Sequence, residues 1–432
     1  MPTLRSLLRL LAPGLGVKRW LTLLVFGIAL VSITFAYAIL KLGLVKTALL
    51  DENPTWILLV TGLIVGFGVV GIALFKLSYT LLAPYRRHQQ GPIIDVVYAH
   101  SKRQKGLKVV AIGGGTGLPA VLRGLKPHTD NITAVVTVAD DGGSSGRLRR
   151  DLGVLPPGDL RNNIAALADD ESLMTKLFQY RFAEGDLSGH AFGNLFIAAL
   201  AGISGGLEPA LTEVARVLNI QGRVLPSTLE DINLIGVVQP PDHNRPIRVH
   251  GESKISGIGG KIIELSISPE NANAYAGSVR ALLEADIVVL GPGSLYTSIL
   301  PNLMVRGIAD ALRATDAYKV YVCNVATQPG ETYGYTVADH VLALEKHVGR
   351  GVFQTVLANN HRPGKNAGQN TFYVESIPPN HEILQRYEVR YTDLTDADRP
   401  WRHDPQKLAR AILSLSNAER TGSSNADPIF IH

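Results

Sequence analysis

Apolar positions fall into two regimes along the chain. Residues 20–40 and 56–75 are almost continuously apolar, whereas beyond residue 105 short apolar runs alternate with amphipathic stretches. Each of the first two runs approaches the roughly 20 residues a helix needs to cross the hydrocarbon core. They predict a transmembrane helical hairpin within a membrane region of residues 1–83. The connecting segment is charge-balanced (Lys41, Lys46, Asp51, Glu52), while Arg5, Arg9, Lys18 and Arg19 precede the hairpin and Lys76, Arg86 and Arg87 follow it. The positive-inside rule then places both ends in the cytoplasm. A cleaved signal peptide competes, with Ala36-Tyr37-Ala38 as its cleavage site. The first run is long for a signal peptide and a second follows at once, which favours a retained hairpin. A buried core hairpin is disfavoured because neither run carries a polar stripe. The expected location is the inner (plasma) membrane, multi-pass, with the large domain in the cytoplasm.

Residues 84–105 are polar, contain Gly91-Pro92, and read as a linker to a body spanning 106–417. In the body, strand-like runs (Val109 to Ile112, Ala134 to Ala139, Ile232 to Val238, Lys261 to Ser268, Asp286 to Leu290, Lys319 to Val325, Gly351 to Leu357) alternate with helical patterns. Those helical patterns lie at Leu118 to Leu125, Asp159 to Ala168, Leu173 to Phe182, Phe192 to Ala201, Pro209 to Leu218, Ala272 to Ala285, Leu303 to Ala314 and Val337 to His347. Unbroken apolar strands separated by helices predict an α/β fold, a mostly parallel sheet with helices on both faces. Pro226 to Ser268 breaks the rhythm and suggests an inserted hairpin region. A last helix, Asp404 to Leu415, precedes a Ser/Asn/Gly tail, 418–432, expected to be disordered.

Composition narrows the function. The net charge is only +5 and the basic residues are scattered without interleaved aromatics, which argues against nucleic acid. Cys323 is the sole cysteine, so neither a disulfide nor a CxxC metal site forms within one chain.

Candidate chemistry gathers where strands give way to loops. Gly113, Gly114, Gly115, Thr116 and Gly117 follow the first strand of the body and open a helix. Bare glycine backbone lets phosphate oxygens approach N–H groups at a helix start. The run is not the dinucleotide fingerprint, because Leu118 replaces its last glycine, nor a phosphate loop of the Walker type, because no Lys-Ser/Thr follows. Asp140 and Asp141 are read as ending the second strand, placed to reach a ribose or to hold a divalent cation on bound phosphates. Gly142, Gly143, Ser144, Ser145 and Arg147 follow as a turn rich in donors for an anion. Asp159, Arg161 and Asn162 open one helix, and His190 and Asn194 begin another; Asp159 also reads as a plain helix cap and His190 as structural. Gly291, Pro292, Gly293 and Ser294 end a fully apolar strand, and Ala326 to Glu331 end the next. Loops converging on one sheet edge predict a ligand crevice.

The motifs AIGGGTGL, TVADDGGSSGRLR, PPGDLRN, GHAFGNLF, LGPGSLYTS, CNVATQPGET and RHDP, in this order, resemble the gluconeogenesis factor family, a CofD-like branch of the superfamily that includes 2-phospho-L-lactate transferase. The resemblance covers roughly Lys108 to Ala411; the paired amino-terminal spans are an addition to it. It implies a Rossmann-like fold and a nucleotide-type ligand, a UDP-sugar such as UDP-N-acetylglucosamine in this branch, with roles in carbon flux, cell shape and envelope synthesis. The transferase branch instead implies Mg²⁺-dependent transfer of a phospholactyl-type group from a guanylylated donor to a deazaflavin precursor. By motif, the Gly113 to Gly117 and Asp140 to Arg147 loops hold the nucleotide, with Asp140 and Asp141 on any Mg²⁺. Asp159, Arg161, Asn162, Asn194 and Gly291 to Ser294 line the crevice, and Arg402, with His403 and Asp404, closes over it. The implied partners are the nucleotide sugar, the inner membrane and a protein of envelope synthesis; a homodimer is compatible. A general NAD(P)-dependent oxidoreductase fits less well, given the glycine spacing.

Overall fold

A computed structural model describes residues 17–41, 56–86, 103–168, 173–241, 243, 245–364, 367 and 371–420. It divides into two compact units, Met1–Ala99 and His100–His432.

In the first unit, helices α1 (Val17–Lys41) and α2 (Trp56–Arg86) pair with each other. Both are long and apolar enough to cross a membrane, over Arg19–Leu40 and Ile57–Ser78. Their contact is built on small residues: a Cβ on Gly66 would lie 2.5 Å from Val31, and one on Gly62 would lie 3.0 Å from Thr34. Glycines four residues apart on one helix face let two helix backbones approach closely. Phe26, Ile33, Phe67 and Phe75 are exposed on the outside of the pair. Helix α2 continues beyond residue 75 and takes in residues 84–86 of the expected linker; 87–102 lie outside the described residues.

The second unit carries a seven-stranded sheet in the order β10-β9-β8-β7-β1-β2-β3. Its strands are β1 (Val109–Gly113), β2 (Ile132–Val136), β3 (Arg223–Pro226), β7 (Ile287–Leu290), β8 (Tyr318–Val322), β9 (Thr355–Asn359) and β10 (Glu388–Thr392). Every pairing is parallel. Strands β1, β2, β7 and β9 are buried along their whole length, which explains their predominance of Val, Ile, Leu and Ala. The chain leaves β1 toward β2 and β3 in one direction and adds β7 to β10 on the other side. The order therefore reverses between β1 and β7, and in open α/β sheets such a switch point opens a crevice at the carboxyl ends of the strands.

Between β3 and β7 the chain forms a separate antiparallel sheet, β5-β4-β6, from β4 (Asn233–Gln239), β5 (Ile247–His250) and β6 (Lys261–Ser268). Six further helices position the site: α3 (Leu118–Leu125), α4 (Gly143–Leu152), α5 (Gly158–Leu167), α6 (Phe192–Ser204), α7 (Glu252–Ile258) and α8 (Pro405–Arg420).

Several expectations are corrected here. The second strand ends at Val136 rather than Ala139, because the Thr137 hydroxyl accepts from Ala139 N and turns the chain out of the ladder. Asp140 and Asp141 consequently lie beyond the strand end. Gly142 to Arg147 is not a free turn: Gly142 is extended, Gly146 N donates to its carbonyl, and α4 begins at Gly143. The inserted region has three strands and α7 rather than a hairpin alone, with Gly257 inside α7 and Gly259 closing it. The helix expected over Leu303 to Ala314 is broken at Gly307, whose φ of 95° no helix accommodates. Helix α8 extends to Arg420, into the expected tail; residues 421–432 lie outside the described residues.

Candidate functional site

The loops after β1 and β7 meet at the switch point. Gly117 has φ of −80°, open to any residue, but a Cβ there would lie 2.5 Å from the Pro292 carbonyl oxygen. Glycine is required by close approach of two backbones. A Cβ on Gly114 would likewise lie 2.5 Å from Asp159 Oδ2. Asn302 holds the end of β1 in place, donating from Nδ2 to Gly113 O at 2.9 Å. The β7 loop is braced from β8: Asn324 receives Gly293 N at 3.2 Å and donates to Gly293 O at 2.9 Å, and Gln328 donates to Ser294 Oγ at 2.8 Å.

On one side of this double loop opens a cleft of about 300 Å³. Thr116, Gly117 and Arg123 form one wall, Pro292, Gly293, Ser294, Asn324 and Gln328 another, and Arg399, Trp401 and Arg402 the rim. Trp401 and Arg402 are exposed. An exposed indole beside two guanidinium groups, facing bare glycine amides, suits a ligand with a flat ring and an anionic group. His403 and Asp404 act differently from Arg402. His403 is buried with Nε2 on the Cys323 carbonyl at 3.2 Å, and Asp404 accepts from Lys407 N at the start of α8.

On the other side lie the carboxylates. Asp159, in the first turn of α5, is pushed up to about 7, chiefly by burial and also by the Asp140 charge, against the lowering effects of the Gly115 amide and Arg161. Asp140 accepts Gly142 N at 2.9 Å. Asp141 points elsewhere: it accepts Ser253 N at 2.9 Å, tying down the start of α7. The Asp140 charge bears on Asp159, and the Asp140 and Asp141 charges both bear on Glu252. Glu252, on α7, faces the same region, and burial together with Asp140, Asp159, Glu331 and Asp141 pushes it up to about 9. Among the described residues, no three His, Cys, Asp or Glu side chains are gathered as a ready metal site. Asp140 and Asp159 supply two carboxylate donors, the number Mg²⁺ commonly takes when substrate phosphates and water complete its shell.

The remaining expected site residues support this architecture. Ser144 Oγ receives Asn194 Nδ2 at 3.0 Å and Ala191 N at 3.4 Å, so its own proton goes to His190 Nδ1 at 3.1 Å. Burial and Arg147 hold the His190 imidazole below its usual range and keep it neutral for that role. Ser144 and Asn194 are buried and join α4 to α6 rather than lining the crevice. Ser145 accepts Gly158 N at 3.1 Å and so fixes the start of α5. Arg147 donates to Ser188 O at 2.8 Å, and Arg161, half-buried, donates to Asn162 Oδ1 at 2.7 Å. Burial, and next the nearby Arg181 charge, lower the Arg161 pKa, the electrostatic condition of a cation that gains from an incoming anion. Sequence reasoning missed Glu252, Arg123, Asn324, Arg399 and Trp401. Trp401 and Arg399 flank the RHDP motif and were within reach of it, whereas Glu252 carries no local signal.

Residues 109–407 match the family described as 2-phospho-L-lactate transferase CofD. A putative gluconeogenesis factor of Nostoc sp. is 44% identical over 93% of this chain and 91% of its own length. The gluconeogenesis factor of Bacillus subtilis is 46% identical over 67% of this chain and 86% of its own. A crystal structure of a Bacillus halodurans protein, 40% identical, superposes with a TM-score of 0.67 and covers 71% of this chain but 99% of its own, so in that relative the α/β body folds without the helical hairpin. The chain belongs to the CofD family and, within it, to the relatives named gluconeogenesis factors.

Proposed function

We propose that this protein is a membrane-tethered regulator of carbon flux and cell-envelope synthesis that binds a UDP-sugar, UDP-N-acetylglucosamine in particular, in the switch-point crevice. The observation carrying this reading is the junction of the Gly113–Gly117 and Gly291–Ser294 loops beside the cleft rimmed by Arg399, Trp401 and Arg402. Backbone amides of the glycine loops receive the diphosphate, Asp140 and Asp159 hold Mg²⁺ against its oxygens, and the Trp401 indole stacks on the flat base. The hairpin keeps the body at the cytoplasmic face of the inner membrane, where envelope precursors are made and consumed, and a protein of envelope synthesis reads the liganded surface.

The Asp140, Asp159 and Glu252 cluster favours a second reading, an Mg²⁺-dependent transferase acting on a nucleotide-activated phospho-acid and a deazaflavin acceptor. There Arg161 would stabilise the charge developing at phosphorus, and Asp140 and Asp159 would hold the Mg²⁺ that supplies charge neutralisation. Titration of the purified body with UDP-N-acetylglucosamine, GDP and NADP, with and without Mg²⁺, separates the readings. The regulator reading expects saturable UDP-N-acetylglucosamine binding weakened in Arg402→Ala; binding of GDP alone, with turnover on a deazaflavin acceptor, overturns it.

A further inference from the structure

Three arginine side chains from three different parts of the chain reach one short stretch, residues 188–193, at the start of α6. Arg147, on α4, donates from Nη2 to Ser188 O at 2.8 Å. Arg181, which forms an antiparallel bridge with Ala191, donates from Nη1 to Gly189 O at 2.6 Å. The two guanidinium groups thus rest on consecutive carbonyls, and a Cβ on Gly189 would lie 3.0 Å from Arg147 Nη2. Arg161, in the first turn of α5, runs its stem past the end of the same stretch, where a Cβ on Gly193 would lie 2.9 Å from Arg161 Cγ. Among the described residues, none of the three arginines forms an ion pair. Acids do reach the group, but more weakly than its own cations do. The Arg181 charge bears on Arg161 more than Asp159 or Asp140 does, and the Arg147 charge bears on His190 more than Asp151 does. Arg147 and Arg161 are half-buried, so their charges are only partly screened by water.

We infer that Arg147, Arg161 and Arg181 form a receptor for a phosphate dianion, free or as the end of a small metabolite ester, separate from the nucleotide cleft. A guanidinium presents several N–H donors in a planar fork. Arg147 and Arg181 each spend one bond on a backbone carbonyl and Arg161 one on Asn162 Oδ1, so most of their donors stay available. One fork serves a carboxylate, whereas a tetrahedral dianion engages more than one. None of the three arginines lines the cleft walled by Thr116, Pro292 and Trp401, and the receptor does not depend on which nucleotide that cleft takes. The anion relieves the repulsion among the three cations and ties α4, α5 and the start of α6 together. The protein then responds to two ligands, a nucleotide at the loop junction and a phosphate beside it.

Calorimetric titration of the full chain in detergent, in EDTA and at fixed ionic strength, tests the assignment with inorganic phosphate, glycerol 3-phosphate and acetate as probes. Saturable binding of phosphate or its ester is expected without nucleotide, with acetate weaker than either; tighter glycerol 3-phosphate identifies an ester as the ligand and tighter inorganic phosphate the free ion. Arg147→Gln and Arg181→Gln should each weaken phosphate binding by at least about tenfold, the lower end for a hydrogen bond to a charged group. Glutamine keeps a donor for the backbone carbonyl, and urea unfolding verifies that each variant is folded; the exposed Arg181 carries the test should Arg147→Gln fail to fold. Acetate binding as tight as phosphate, unchanged phosphate affinity in Arg181→Gln, or no phosphate binding by the folded wild type overturns the proposal. So does displacement of phosphate by saturating UDP-N-acetylglucosamine, which would put the phosphate on the glycine loops. Failure of UDP-N-acetylglucosamine itself to bind bears on the crevice and leaves the phosphate titrations standing.

Discussion

Asp159 offers the sharpest energetic test, because its carboxyl is strained toward the neutral form by its surroundings. Its ordinary value is 3.8 and burial beside Asp140 lifts it to about 7. At 1.36 kcal/mol for each pH unit, that difference corresponds to about 4 kcal/mol of stability withheld once the group must ionise. The sign follows from the raised folded-state value. The contribution is fully present below pH 3.8 and is lost as pH rises through about 7. In Asp159→Asn the side chain keeps an acceptor for the Gly115 amide but has no proton to lose. Urea unfolding of the metal-free body in EDTA, measured between pH 4 and pH 8, should show wild type and variant converging at the acid end. At pH 8 the variant should be more stable, by a margin approaching about 4 kcal/mol. A stability difference that stays flat across this range would refute the placement of Asp159 beneath the glycine loop and beside Asp140.

Three further outcomes follow from the same geometry. Gly117→Ala, with its Cβ 2.5 Å from Pro292 O, should cost about 1–3 kcal/mol by overpacking and separate the two loops, so calorimetry should find nucleotide binding lost in a protein that remains folded. His340 and His403 are both held near 4 by burial, below their ordinary 6.5, so they contribute stability that is present above pH 6.5 and lost as pH falls toward 4; His403→Gln should flatten that acid limb in a thermal-melt series. Protease added to sealed right-side-out vesicles should leave the body intact and added to inverted vesicles should digest it, and the opposite pattern would reverse the topology.

Much of the scaffold was legible because it is dictated locally. Fully buried parallel strands read as unbroken apolar runs, and β1, β7 and the loops that follow them are visible in the chain as Val109 to Gly117 and Ile287 to Ser294. Other features depend on contacts the sequence does not advertise. The start of α4 is rich in Gly, Ser and Arg and lacks an apolar period, so its helix comes from the anchoring of Ser144 and Ser145 by His190, Asn194 and Gly158. Strand β10 is a half-buried edge whose Glu-Val-Arg-Tyr-Thr carries little apolar signal. In the site, the adjacency of Asp140 and Asp141 suggested one paired function, yet Asp140 accepts Gly142 N two residues on and Asp141 accepts Ser253 N, 112 residues away. Glu252 enters the picture only when the insertion folds back over the sheet, a non-local event that no periodicity encodes.

The central claim is that nucleotide binds where the β1 and β7 loops meet. The body also has a groove of about 300 Å³ at the amino ends of the strands, lined by Lys108, Asp130, Thr133, Arg223 and Glu284, which offers a ready contrast. Amide hydrogen exchange of the body with and without UDP-N-acetylglucosamine and Mg²⁺ distinguishes the two places. The account predicts new protection at Gly113 to Gly117, Gly142 to Arg147 and Gly291 to Ser294; protection confined to Lys108, Asn131 to Thr133 and Gly222 to Arg223 would contradict it.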